Sequence, residues 1–353
     1  MPQATSCERH VPIMNAHTLG RWSVAVVVGC GFAMLFAATG CNEPTATSES
    51  NTPGTPGPAK TDAFHFHYNV TINNLEPGAQ ARVWLPVAQT NHDQDVQLEG
   101  VEVPGEHDVY DEGKFDNQVI YFEAAANDNG EIPIKVAYQV VRKELTAESG
   151  EEVVDEELAN FLAPSRFVPN DEKLLYQVVG DKRPEGEGEE LADELYNAVY
   201  RWMEYGKPKD KAWGRGDSVY ACDARIGNCT DFHSLFISMC RVLKLPAKFE
   251  IGFMLPEDGA EGEVGGYHCW AKFAHEGRWV AVDISEADKD ATMKDYYFGS
   301  LTPNRVTFTT GRDLQLSPPP AAGEVNFLVY PYVEVEGKEH KDFAKDFRFV
   351  RLD

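Results

Sequence analysis

The chain is short of positive charge. Its 353 residues hold 32 Lys and Arg against 57 Asp and Glu, a formal net charge of −25, so a phosphate-bearing ligand would approach against the protein's own field. Nucleic acid is therefore excluded as a partner class. Cysteine is also sparse. Cys7, Cys30 and Cys41 lie near the N-terminus, which leaves Cys222, Cys229, Cys240 and Cys269. Their spacing demands no disulfide, and Cys222, Cys229, His233 and Cys240 match no common zinc pattern. Asp288-Lys289-Asp290 lacks the glycine and distal glutamate of an EF-hand loop. The acidic cluster of Glu151, Glu152, Asp155, Glu156 and Glu157 reads as a solvated surface. Neither a metal site nor a cofactor is expected.

Long apolar runs are missing as well, with one exception. Arg9 and Arg21 precede an apolar stretch from Trp22 to Ala38, followed by Ala38-Thr39-Gly40-Cys41. The arrangement resembles a bacterial lipoprotein signal over residues 1–40, and the resemblance implies that Cys41 carries the lipid. A transmembrane anchor is the alternative, since the run approaches the roughly 20 apolar residues that span a bilayer. Either reading expects the body of the protein outside the cytoplasm, tethered to a membrane of the cell envelope. Residues 41–62 are rich in Pro, Thr, Ser and Gly, the composition of a flexible tether.

What is present is enough for two ordinary cores, with 42% hydrophobic and 11% aromatic residues. Phe64, Phe66, Tyr68, Val70 and Ile72 alternate with mostly polar neighbours, a strand signal that returns at Arg82–Pro86, Val119–Phe122 and Ile134–Val141. These predict a β-sandwich over residues 63–165, ending in an extended connector around Phe161–Pro169. Leu191, Leu195, Ala198, Val199 and Trp202 mark an amphipathic helix. The tail, residues 301–353, reads as a further β extension with no chemistry of its own.

Residues 166–300 hold the chemistry. After Gly227-Asn228-Cys229-Thr230-Asp231, apolar residues from Phe232 to Leu243 recur at helical spacing until Leu245-Pro246. Cys229 thus falls at a helix N-terminus, where unpaired N–H groups and the dipole favour the nucleophilic thiolate. Asn228 and Asp231 read as cap and first-turn charge. Tyr267–Phe273 and Trp279–Ile284, separated by His275-Glu276-Gly277, predict a hairpin. Alternation then puts His268 opposite Asp283 or one diagonal step away, near enough for the aspartate to orient the imidazole.

Gly227, Cys229, Asp231 and Phe232, then Arg241 and Leu245-Pro246-Ala247, His268 and Trp270, and Gly277, Trp279 and Asp283 together resemble the transglutaminase-like superfamily of papain-type cysteine enzymes. The resemblance implies an α+β fold in which the helix bearing Cys229 packs on an antiparallel sheet, here preceded by the β-sandwich. It also implies a Cys229, His268 and Asp283 triad that passes through a thioester. Trp213 is the indole upstream of the cysteine that the resemblance offers as an oxyanion donor beside the Cys229 N–H. Peptide or glutamine carboxamides are the expected substrates. Hydrolysis, as a cysteine protease or amidase, is the favoured outcome. Protein crosslinking through a lysine amine and a catalytically idle binding module are the alternatives.

Overall fold

The computed structural model describes residues 59–209 and 213–352. The expected signal, Cys41 and most of the tether lie outside the described residues. The first strand begins at Thr61, two residues inside the segment expected as tether.

The fold is α+β, with antiparallel sheets and few helices. Its first sheet has five strands in the order Glu261–Glu263, Phe343–Arg351, Thr61–Ile72, Ile132–Lys143 and Gln94–Glu102. A second runs Lys338–Glu339, Tyr332–Val335, Gln80–Pro86, Gln118–Ala125 and His107–Asp111. The third orders Arg278–Val282, Tyr267–His275, Ala247–Met254 and Arg305–Thr310. This last sheet carries the candidate site.

The alternation that predicted the first strand sets its buried face. Phe64, Phe66, Tyr68, Val70 and Ile72 are all buried, and Phe66 and Tyr68 of this face meet Phe253 and Phe308 of the third sheet. Phe66 lies 5.0 Å from Phe253 and Tyr68 5.6 Å from Phe308 between ring centroids. Aromatic side chains bury large areas and prefer such offset or tilted pairs. One continuous core therefore joins the N-terminal sheets to the site sheet.

The tail departs from the expected extension. It divides, with Arg305–Thr310 completing the site sheet and Tyr332–Val335 and Phe343–Arg351 completing the two sheets of the N-terminal region. Strand partners far apart in sequence leave no local signal, which is why the pattern shows strands here but not their partners. The site strand is further pinned from the first sheet: the Thr307 N–H donates to Gln94 Oε1 at 2.8 Å, and Arg142 Nη1 donates to Thr307 Oγ1 at 2.8 Å. The connector also differs, since Leu158–Leu162 is a short helix that buries Phe161 against Trp279.

The helix expected from Leu191 to Trp202 runs Gly188–Trp202 and packs on Cys229–Val242. Every residue of the latter is buried. A helix covered all round needs partners for its polar side chains. Arg241 Nε donates to the Phe161 carbonyl at 2.9 Å, and Ser234 Oγ accepts from Arg312 Nη1 at 2.8 Å.

Candidate active site

Cys229 is the first residue of its helix. Two features of the preceding residues put it there. Ile226–Gly227 pairs in parallel with Glu204–Tyr205, and Asn228 leaves the helical conformation as N-cap, its Oδ1 accepting from the Thr230 N–H at 3.1 Å. Asp231 answers by accepting from the Asn228 N–H at 3.1 Å, which closes a capping box. The same buried carboxylate accepts from the Gly214 and Gly216 N–H groups at 3.2 and 3.1 Å. It thus ties a neighbouring loop to the helix start, a role beyond the expected first-turn charge. Gly227 is required here because a Cβ would lie 2.6 Å from Asp231 Cβ.

The hairpin turns at Glu276 and Gly277, both at positive φ, between the paired His275 and Arg278. Its register sets Ala271 against Val282, which places Asp283 one diagonal step from His268. Asp283 sits just past the strand, as N-cap of the short helix Ile284–Lys289. There its Oδ2 lies 2.6 Å from His268 Nε2. That contact occupies Nε2 and leaves Nδ1 as the ring nitrogen available to the thiol.

All three groups are buried. Burial opposes the Cys229 thiolate, but hydrogen bonds from Cys269 and His268, together with the imidazolium charge, bring its pKa down to about 6. Burial likewise opposes the His268 cation, and the adjacent Asp283 carboxylate overrides it, lifting the imidazole to about 9. Asp283 is held well below the usual carboxylate range despite its burial, by His268 first and Arg305 second. A thiolate–imidazolium pair is therefore the favoured state between the two values.

Several neighbours of these three residues were not expected as parts of this site. Arg305 Nη1 donates to Asp283 Oδ2 at 2.7 Å from the strand expected to carry no chemistry. His233 accepts from the Ile284 N–H through Nε2 at 3.1 Å and lies 3.6 Å from Asp283 Oδ1. This imidazole is neutral, because burial pushes it down to about 4. Its signal was available, four residues after Cys229 and so on the same helix face. Cys269 lies 3.6 Å from His233 Nδ1, and Tyr267 donates to the Gly214 carbonyl at 3.2 Å while accepting from Asn228 Nδ2 at 2.9 Å. Cys222, Cys229, Cys240 and Cys269 are all free thiols.

Trp213 is placed differently from the expected oxyanion donor. Its indole N–H donates to the Gly206 carbonyl at 2.8 Å, and 43% of the residue is exposed. Asn228 takes the Thr230 and Asp231 N–H groups, and the Cys229 N–H stands outside these cap bonds. Among the described residues, His268, Asp283 and Glu286 bring ligand atoms within 4.8 Å of one another. Asp283 is engaged by His268 and Arg305, and Glu286 by Lys289 at 2.6 Å, so the donors are already neutralised within the protein.

Comparison with known proteins agrees with this architecture. Residues 173–284 match the model of the transglutaminase-like superfamily, and that segment is a transglutaminase-like core. A protein from Cytophaga hutchinsonii whose name proposes a cysteine protease shares the fold, with a TM-score of 0.55, 18% identity, and coverage of 83% of this chain and 92% of that one. The periplasmic domain of TgpA from Pseudomonas aeruginosa is more distant, with a TM-score of 0.34 and 15% identity over 66% of this chain and 90% of that domain. An uncharacterised protein of Haemophilus influenzae is 28% identical over 188 residues, 43% of this chain. The match spans about half of that relative, 51% of its length. No helix among the described residues is long and apolar enough to cross a membrane.

Proposed function

We propose that this chain is a cysteine-dependent acyl-transfer enzyme that hydrolyses peptide or glutamine carboxamide bonds. The observation that carries the reading is the His268–Asp283 contact of 2.6 Å together with a buried thiol at the first position of its helix, surroundings that favour the thiolate. In the first half-reaction the Cys229 sulfur attacks the carbonyl carbon, and the Cys229 N–H receives the developing oxyanion. The His268 imidazolium gives its proton to the departing amine, leaving a thioester and a neutral imidazole. Water then loses a proton to His268 as it attacks the thioester, and the acid leaves with Cys229 restored as thiolate. Asp283 fixes the imidazole orientation through both halves.

An amine in place of water would give crosslinking, and the transglutaminase-like core supports that alternative. The binding-module reading has less support, because a site with no chemistry gains nothing from a lowered thiol pKa. The substrate side is assigned to a protein or peptide, and the protein is assigned to the cell envelope, lipid-anchored through Cys41, on the sequence alone.

The test is incubation of the full chain and its Cys229→Ala variant with a glutamine-rich protein and a fluorescent primary amine, read by mass spectrometry. Cleavage or deamidation without amine incorporation, lost in the variant, is the expected result. Cys229-dependent amine incorporation would replace hydrolysis with crosslinking, and identical products from both proteins would overturn the enzymatic reading.

A further inference from the structure

We infer that Arg305 is a positioning residue of this site: by sharing one oxygen of Asp283 with His268, it fixes the carboxylate and withholds part of its charge from the imidazolium. The inference rests on the proposed Cys229–His268 pair. Asp283 Oδ2 accepts from His268 Nε2 at 2.6 Å and from Arg305 Nη1 at 2.7 Å. The other oxygen accepts from Ser285 Oγ at 2.9 Å and from the Glu286 N–H at 3.1 Å. A carboxylate held at four points cannot rotate without losing several bonds in a dry site.

Arg305 is itself fixed. It is fully buried, its guanidinium lies 5.2 Å from the Trp270 ring and 5.8 Å from the Tyr297 ring, and its strand is pinned through Thr307 by Gln94 and Arg142. A guanidinium keeps its charge at every relevant pH, so this neutralisation is permanent. The other charged or titratable groups around the pair are Cys229 and His233 from the nucleophile helix, Cys269 beside His268, and Glu286 with its partner Lys289 from the short helix. Tyr196, Tyr296 and Tyr297 and the buried Arg142 guanidinium also surround the pair. Among the described residues, Arg305 is the permanent cation in contact with Asp283.

The consequence is chemical. With one negative charge divided between two cations, the imidazolium is less tightly held and gives its proton more readily to a leaving amine. Replacing Arg305 by a neutral residue presents the whole carboxylate charge to His268. The imidazolium then persists to higher pH, and its proton is harder to transfer.

The pH dependence of iodoacetamide labelling at Cys229 tests this without a substrate. Labelling in the full chain is read by mass spectrometry for wild type, Arg305→Met, Arg305→Gln and Arg305→Lys. Arg241→Met serves as control for loss of a buried arginine, since Arg241 lies in the last turn of the same helix. Wild type should show one step where the thiolate forms and a second where His268 deprotonates. Both neutral variants should move the second step up by about half a pH unit or more, Arg305→Lys should fall between them and wild type, and Arg241→Met should leave it in place. If Arg305→Met fails to fold by circular dichroism, Arg305→Gln decides. A second step that stays put or moves down in a folded neutral variant overturns the positioning role while leaving the acyl-transfer reading intact. A wild-type profile without the thiolate step would overturn both.

Discussion

One helix carries two buried cysteines whose surroundings bias their thiols in opposite directions. Cys229 opens the helix and Cys240 lies in its last turn, at 2% and 0% exposure. Burial pushes the Cys240 thiol far above its ordinary range, against an opposing pull from Arg241. The same burial acts on Cys229, yet hydrogen bonds from Cys269 and His268 carry it down to about 6. Burial alone makes a cysteine inert; the charged partner makes it a nucleophile.

The sharpest way to break this comparison is to exchange the fates of the two thiols. Cys229→Ala should abolish turnover, whereas Cys240→Ala should keep kcat within about twofold and lose about 1 kcal/mol of stability for the removed sulfur. Steady-state rates and denaturant melts of the two variants check both halves.

Asp283→Asn comes next. It removes the charge that lifts His268 and leaves the buried Arg305 without its counter-ion. We expect kcat/KM to fall by roughly 10²–10⁴-fold and stability by about 3–5 kcal/mol, measured by rates and thermal unfolding. A loss of activity with an unchanged melting temperature would show that the Arg305–Asp283 pair does not matter for the fold.

The pH profile sharpens the same comparison. The proposed mechanism needs Cys229 as thiolate, favoured above about 6, and His268 as imidazolium, lost above about 9. A bell-shaped kcat/KM with limbs near those values is the expected outcome. A single ascending limb near the ordinary thiol value would mean that no ion pair forms.

Smaller effects are expected at the helix start. Asn228→Ala removes the cap bonded to Thr230 and should cost about 1 kcal/mol, with the lower limb of the profile moving up as the helix terminus frays. Smallest of all is Trp213→Phe. Its indole N–H is engaged by the Gly206 carbonyl, so kcat should change by less than about twofold.

The nucleophile helix and the hairpin were legible in the sequence because each is specified by neighbours a few residues apart. Asn228 and Asp231 cap the helix they begin, and Glu276-Gly277 turns the hairpin that carries His268 toward Asp283. Arg305 was not legible. A single arginine in Arg305–Thr310 meets Asp283 only because that strand pairs with Ala247–Met254, a choice made by packing across the sheet. The division of the tail among three sheets has the same origin. Trp213 shows the limit of motif spacing, since a tryptophan 16 positions before Cys229 sits in a loop whose own hydrogen bonds turn its indole toward Gly206.

The most direct test of the account is whether Cys229 accepts an acyl group. Incubation of the full chain with p-nitrophenyl acetate, quenched in acid and read by intact and peptide mass spectrometry, should show an acetyl group on Cys229 that discharges with time. It should be absent in Cys229→Ala and form far more slowly in His268→Ala. Acetylation of Cys229 no faster than that of surface lysines, and unaffected by His268→Ala, would contradict it.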